Sequence, residues 1–207
     1  MNMQETKTIS AYKQGLRSKI LDTAMRDFRD KGIRAVKMDD VAAELGISKR
    51  TLYEIFETKE LLLFEGIQYY HSQNAKQVKE KTDRCKNVME ILVVAYKAKV
   101  EEFRQTCPQF YVDLVKYPKV ARFLNQENQK VRKSIVKFLE RGVYEGYFME
   151  EINQVLVGRL LDALTKYVMV NQLYRQYSIE EIFTNILFMS LRGICTEKGI
   201  KAIDRLL

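Results

Sequence analysis

Apolar residues recur at intervals of three and four along most of the chain, which is the period of an amphipathic α-helix. In the first such stretch, which begins near Lys13, Ile20, Ala24 and Phe28 share one stripe. Gly32 then follows at a position suited to a helix C-cap. No segment shows sustained alternation of apolar and polar residues, so the pattern predicts no strands.

The same period predicts further helices along the chain. We expect them at about 38–45, 49–56, 59 onward, 87–103, 109–117, 128–144, 153–174 and 178–195. Ser48 and Thr58 are suited to N-cap the third and fourth helices. Ser178 and Glu181 have the spacing of a capping box, which is the clearest helix start in the sequence. The chain therefore predicts an all-α protein.

The composition excludes several classes of protein. The longest clean apolar run, Ile91–Tyr96, is six residues, whereas a membrane-spanning helix needs about 20. The first twenty residues are rich in charge and contain no apolar run, so no signal peptide is expected. The three cysteines are odd in number and far apart, which is typical of a reduced compartment. We therefore expect a cytoplasmic protein without a membrane partner.

Candidate chemistry for catalysis is scarce. His71 is the single histidine, so a multi-histidine zinc site is excluded. Neither a GxGxxG nor a GxxxxGK[ST] loop occurs, and these are the loops that cradle phosphates of nucleotide cofactors. The sequence therefore predicts no catalytic residues, no metal and no cofactor.

The net charge of +8 favours a nucleic-acid partner in general. Most of the excess lies after residue 67, however, and residues 1–66 are almost neutral. A DNA-binding hypothesis therefore depends on the geometry of a motif and not on bulk charge.

Residues 41–55 have the pattern of a helix-turn-helix. Ala42 is small enough for a second helix to pack against it, and Gly46 supplies a turn in which a positive φ is tolerated. The apolar residues expected to face inward are Val41, Leu45, Ile47, Leu52 and Ile55. The second helix is left with polar residues facing outward at its start, and these suit phosphates and base edges.

A longer pattern extends from Ile20 to Leu62 and consists of Ile20-Leu21, Ala24, Phe28, Gly32, Val41-Ala42, Leu45-Gly46-Ile47-Ser48-Lys49, Thr51-Leu52-Tyr53, Phe56, Lys59-Glu60 and Leu62. This pattern resembles the DNA-binding domain of the tetracycline-repressor (TetR) family. The resemblance implies a three-helix DNA-binding head followed by a larger helical domain. We therefore expect a flexible arm over 1–12, a DNA-binding domain over 13–58, and a ligand-binding and dimerisation domain over 59–207.

The resemblance also implies which residues contact duplex operator DNA. These are Lys37, Ser48, Lys49, Arg50, Thr51, Tyr53 and Lys59. The chain departs from the family pattern at Val36 and Lys37, where a capping threonine is common, and at Arg50, where a small residue is common. An arginine at position 50 suits either bidentate contact with guanine or a grip on the backbone, and the sequence leaves both open.

The resemblance implies a pocket for a small effector in the second domain, and the scarcity of charged residues on the inward stripes favours a mainly apolar one. The candidate lining residues are Tyr96, Phe103, Phe110, Tyr111, Phe138, Tyr144, Tyr167 and Met169. The helices at 153–174 and 178–195 are expected to pair with those of a second copy in a homodimer. The expected function is a repressor whose effector tilts the fourth helix. An activator, a regulator without effector, and an all-helical ligand-binding protein or enzyme remain alternatives.

Overall fold

The computed structural model describes the backbone of residues 3–205 and the side chains of residues 13–205. The α-helices in this part of the chain are α1 Met3–Lys31, α2 Met38–Glu44, α3 Lys49–Ile55, α4 Lys59–Thr82, α5 Val88–Arg104, α6 Pro108–Leu114, α7 Pro118–Tyr144, α8 Gln154–Val170, α9 Ile179–Ile182, α10 Met189–Arg192 and α11 Glu197–Ile203. One isolated antiparallel bridge, Phe148 to Cys195, is the only extended pairing among the described residues. The all-α prediction is confirmed.

The helix ends agree with the predicted caps. Gly32 follows α1 at φ +88°, and its N–H donates to the carbonyl of Phe28 at 3.0 Å. The Thr58 hydroxyl accepts from the Leu61 N–H at 3.1 Å. Ser178 and Glu181 form the capping box at the start of α9. These local signals therefore fixed the boundaries of α1, α4 and α9.

Several helix bounds differ from the prediction. Helix α1 is helical from Met3, and the flexible arm expected over residues 1–12 lies entirely outside the described side chains, so it stays a prediction. Helix α7 begins at Pro118, ten residues before the predicted start at Asn128, because proline fits the first turn of a helix. Helix α8 ends at Val170, and Gln172 then adopts a left-handed φ of 52°.

The described chain divides into two compact units. The first unit contains Met1–Asn74 together with Gln105–Ala121, and the second contains Ala75–Arg104 and Arg122–Leu207. Helix α6 therefore clusters with α1–α3, although it follows them by more than fifty positions. The domain boundary expected at residue 58 is not tested by this division and stays a prediction.

The core of the first unit consists of the apolar stripe of α1 and its partners. Ile20, Ala24 and Phe28 are buried on α1, as the stripe predicted, and Leu52 and Phe56 are fully buried beside the helix-turn-helix. The core of the second unit is separate. It consists of Val88, Met89, Leu139, Phe148, Leu161, Phe188, Leu191, Cys195 and Ile203.

The last long helix of the second unit is irregular. Between α9 and α10, residues Phe183–Phe188 form a π-helical segment. The ring of Tyr96 packs edge-on against Phe183 at 5.0 Å and against Phe188 at 5.2 Å. The wider π-helical turn therefore lies where Phe183 and Phe188 both pack against the ring of Tyr96. None of the described helices is long and apolar enough to cross a membrane.

Candidate nucleic-acid interface

Helices α2 and α3 form the predicted helix-turn-helix. Gly46 occupies the turn at φ +63°, and the next N–H, from Ile47, donates to the carbonyl of Ala42 at 3.0 Å. Ala42 is 1% exposed, as expected for a small residue at the inner side of the motif. A residue with a Cβ at position 46 would be strained at this φ, so the turn explains the glycine.

Ser48 caps α3 as predicted. Its hydroxyl oxygen accepts from the Thr51 N–H at 3.0 Å and lies 2.8 Å from the Thr51 hydroxyl. Both hydroxyls are therefore fixed at the first turn of α3 by local geometry. Lys37 lies just before α2 with an exposed side chain, and its own N–H donates to the Asp40 carboxylate at 3.1 Å.

The outward face of α3 presents the cationic and aromatic residues that the sequence predicted. Lys49, Arg50 and Tyr53 are all exposed, whereas Leu52 on the opposite side is buried. Tyr53 leaves 45% of its surface accessible. The structure therefore brings two cations and one phenol together on one surface.

Each of the two cations on this surface has a carboxylate partner. The Lys49 ammonium lies 2.5 Å from Asp39 on α2, and the Arg50 Nε lies 2.9 Å from Glu54 one turn along α3. Hydrogen bonds from these side chains to Asp39 and Glu54 raise the pKa of both Lys49 and Arg50. Exposed pairs of this kind are weak, so incoming phosphates or bases can compete with them.

Lys59 has a different environment from the other predicted DNA contacts. Its ammonium donates to the carbonyl oxygen of Val36 and lies 5.7 Å from the centre of the Phe28 ring. Burial lowers its pKa, against the opposing influence of the Asp113 and Asp40 carboxylates. In this arrangement Lys59 binds the segment before α2 to the start of α4, which is a structural role within the head.

Two residues that support the interface were missed by the sequence analysis. Arg17 donates to the carbonyl oxygen of Ile55 at 3.2 Å, its guanidinium lies 4.4 Å from the centre of the Phe56 ring, and it pairs with Glu65. It therefore links α1 to the C-terminal end of α3 and to α4. Nothing in the spacing of α1 distinguishes Arg17 from a solvated arginine.

Asp113 is the second residue that was missed. It is completely buried on α6 and accepts from the Arg34 N–H at 2.9 Å, from Gln109 at 2.9 Å and from the Lys116 ammonium at 3.1 Å. Burial alone would raise its pKa, but the hydrogen bonds from these three residues hold the pKa below its usual value. The sequence shows only an aspartate on a short predicted helix. The fold is needed to show that this aspartate is buried.

The eight aromatic and methionine candidates for an effector pocket are not brought together. Phe110 and Tyr111 belong to the first unit and the other six to the second. Tyr144 is 92% exposed and Tyr167 57% exposed, because each lies on the outer side of its helix. The effector pocket stays a prediction, and its half-buried members in the second unit are Tyr96, Phe103, Phe138 and Met169.

One open groove in the second unit has a different lining. Its volume is about 710 Å³, and its walls are Gly146, Tyr147, Thr196, Glu197, Lys198, Lys201, Ala202 and Arg205. Three of these side chains are cationic, so the groove does not have the character of the mainly apolar pocket that was predicted. None of the eight predicted residues lines it.

A compact helix-turn-helix with an exposed cationic recognition helix, carried by a chain with a second helical unit, defines a DNA-binding regulator. Comparison with known proteins identifies a similar family. Residues 20–65 match the family model of bacterial regulatory proteins of the tetR family. The helix-turn-helix head of this chain is therefore similar to that of TetR-family transcriptional regulators, which are non-enzymatic DNA-binding proteins.

Relatives extend the likeness beyond the head. The chain is 27% identical over 194 residues to the transcriptional repressor KstR2 of Mycolicibacterium smegmatis, covering 89% of this chain and 93% of the relative. The structure of the ketosteroid transcriptional regulator KstR2 of Mycobacterium tuberculosis is 25% identical, with a TM-score of 0.60 over 87% of this chain and 95% of that one. A transcriptional regulator of Saccharomonospora viridis in complex with choline shares the fold, at 19% identity, with a TM-score of 0.74 over 89% of this chain and all of that one.

Proposed function

We propose that this protein is a homodimeric repressor that binds a duplex operator through α3 and releases it when a small, mainly apolar molecule binds the second unit. The observation that carries the proposal is the outward face of α3, where Lys49, Arg50 and Tyr53 are exposed together at the surface of a helix-turn-helix. Relatives named as repressors support repression of transcription and not activation. Because its target is DNA, we place the protein in the cytoplasm.

The proposed operator contacts follow from the geometry of the head. Lys49 and Arg50 lie in the first turn of α3, which is the part of a recognition helix that meets base edges in the major groove. Tyr53 and Lys37, whose side chains are both exposed, are assigned to phosphates, and the hydroxyls of Ser48 and Thr51 lie at the start of α3. Lys59 is assigned the structural role described above, and a direct phosphate contact by its ammonium is not part of the proposal.

A homodimer is supported by an exposed apolar stripe on α8. Leu156, Leu160, Tyr167 and Val170 recur at helical intervals and are all more than half exposed. Met189 on α10 is 64% exposed as well. A second copy packed about a twofold axis would remove these side chains from water. Two heads would then bind half-sites about 34–36 Å apart, or a small multiple of that distance.

The class of effector is supported by the interior of the second unit and by one relative. Tyr96, Phe103 and Phe138 are half-buried among other aromatic rings. The relative from M. tuberculosis is titled a ketosteroid transcriptional regulator, and steroids are mostly apolar molecules. We propose that the effector of this chain has the same general character and that its binding shifts the head out of its DNA-binding state.

The experiment that tests the proposal starts from the DNA. Genomic fragments bound by the full chain are selected at physiological salt in excess unrelated DNA, and the enriched site is used in a gel-shift titration. The proposal expects an enriched inverted repeat bound by an even number of chains, and release of the site by apolar ligands that raise the melting temperature of the protein. Recovery of random fragments would contradict operator binding, and tight ligands that leave operator affinity unchanged would contradict effector control.

A further inference from the structure

The guanidinium of Arg50 is held from one side only. Its Nε donates to Oε1 of Glu54 at 2.9 Å, which is an i,i+4 contact along α3. Neither terminal nitrogen of Arg50 has a hydrogen-bond partner among the described residues. The side chain is 87% exposed, so the terminal N–H groups at the end of the guanidinium that is remote from Glu54 remain available to a ligand.

The sequence left two DNA partners open for Arg50, a guanine base and a backbone phosphate. The contact with Glu54 favours guanine. A phosphate reaching the guanidinium would bring its negative oxygens close to the Glu54 carboxylate, and like charges repel. The major-groove edge of guanine carries two neutral acceptors, O6 and N7, which match the paired donors of an arginine. Guanine therefore meets the free side of Arg50 without a penalty from Glu54.

The pair contributes little to folding. Both side chains are exposed, and an exposed ion pair of this kind adds little to stability. A carboxylate on a surface that faces a polyanion also opposes binding to DNA in general. Glu54 therefore adds little to stability and does not attract DNA, yet it holds the arginine of the recognition helix. These properties suit a residue that makes DNA binding more selective.

Resting on the proposed function, we propose that Glu54 is a positioning residue that orients Arg50 for bidentate recognition of a guanine in each operator half-site and disfavours contact of Arg50 with phosphate. The consequence is that Glu54 lowers affinity for unrelated DNA and raises the preference for the operator. Lys49 differs, since its partner Asp39 lies on α2 and a lysine is a point charge without a planar pair of donors.

The test uses the full chain and its selected operator, with each guanine of a half-site replaced in turn by 7-deazaguanine. This base keeps its pairing but lacks the N7 acceptor. Wild type is compared with Arg50→Ala, with Glu54→Gln, and with Asp83→Asn, which removes the carboxylate of the exposed i,i+4 pair Lys79–Asp83 in the second unit. Unrelated duplex at the same salt gives the non-specific affinity, and thermal melting checks that each variant folds.

The expected result is one guanine per half-site whose replacement weakens wild-type binding about five-fold or more. Arg50→Ala should bind the natural and the 7-deazaguanine operator equally weakly. Glu54→Gln should show a smaller guanine penalty and tighter binding to unrelated DNA. Asp83→Asn should behave as wild type. A guanine penalty in Glu54→Gln equal to that of wild type would overturn the role of Glu54 while leaving operator recognition intact. A wild type without preference for any selected site would overturn the proposed function and this inference together.

Discussion

The buried carboxylate of Asp113 accepts a hydrogen bond of 2.9 Å from the backbone N–H of Arg34. Arg34 lies in the turn between α1 and α2, and Asp113 lies on α6, so a helix much later in the sequence fixes the entry to the helix-turn-helix. A second link runs beside it, since the N–H of Cys107 donates to the carbonyl of Arg29 at 2.7 Å. The head is therefore completed by residues outside the segment that matches the family model.

Replacing Asp113 should destabilise the protein. Asp113→Ala leaves the Arg34 N–H and the Gln109 amide without their acceptor, and a lost buried acceptor of this kind costs about 1–3 kcal/mol. Urea unfolding at pH 7 measures the loss. Asp83→Asn is the control, because Asp83 is an exposed partner of Lys79 and its removal should change the free energy of unfolding by less than about 0.5 kcal/mol. Equal effects of the two substitutions would contradict the structural role of Asp113.

The contribution of Asp113 should also depend on pH. Its folded pKa is lowered by its hydrogen bonds, although burial opposes the shift. A lowered pKa gives stability that is present above the unfolded value, about 4, and lost as pH falls through the folded value. The stability difference between wild type and Asp113→Asn should therefore be largest near neutral pH and shrink on acidification below about pH 4. A difference that grows on acidification would contradict the ion-paired carboxylate.

Alanine substitutions at two glycines that have open space around them should change the stability of the protein in opposite directions. A Cβ at Gly46 or at Gly15 would meet no atom within 4 Å, so only backbone conformation differs. Gly46 has φ +63°, and Gly46→Ala should cost about 1 kcal/mol. Gly15 is helical within α1, and Gly15→Ala should stabilise by about 0.5–1 kcal/mol. Thermal melting of the pair checks the turn, and stabilisation by Gly46→Ala would show that the turn differs from this geometry.

Lys59→Met tests whether Lys59 acts on the fold or on DNA. Methionine keeps an apolar side chain over Phe28 but removes the donor to Val36, so the free energy of unfolding should fall by about 0.5–1.5 kcal/mol. The slope of log affinity against log salt for the operator should not change. If Lys59 contacts a phosphate, the substitution would instead reduce the magnitude of that slope by about one unit. This outcome would show that Lys59 binds DNA directly.

The apolar stripe on α8 gives a prediction about assembly. Leu156→Glu combined with Leu160→Glu should convert the dimer to a monomer in analytical ultracentrifugation, because two carboxylates would be buried in the interface without partners. Val115→Glu is the matched control, since Val115 is 70% exposed in the first unit. A dimer that survives the double substitution would show that α8 does not form the interface.

The sequence predicted the elements that local chemistry determines. The stripe of α1, the turn at Gly46 and the caps at Ser48, Thr58 and Ser178 each depend on residues within one or two turns, and all appear in the structure. The outward face of α3 follows from the same local periodicity. A helix-turn-helix is therefore predictable in this chain because its geometry is set by few residues close together.

The remaining features depend on contacts between distant parts of the chain. The inward position of Lys59, the assignment of α6 to the first unit and the roles of Arg17 and Asp113 involve partners far along the sequence. The effector pocket stays a prediction for the same reason. Aromatic residues at helical spacing do not reveal which side faces the interior, and Tyr144 lies outside.

The most direct test of the account is a gel-shift titration with the DNA that flanks the coding region of the protein, together with the selected operator, at low and at physiological salt. Wild type is compared with Arg50→Ala, Tyr53→Ala and the second-unit control Lys79→Ala, in the presence of unrelated competitor DNA. The account predicts binding that survives competitor and salt in wild type and Lys79→Ala and is lost in the two α3 variants. Weak binding that collapses with salt and is the same in all four proteins would be only the non-specific electrostatic contribution, and it would contradict recognition by α3.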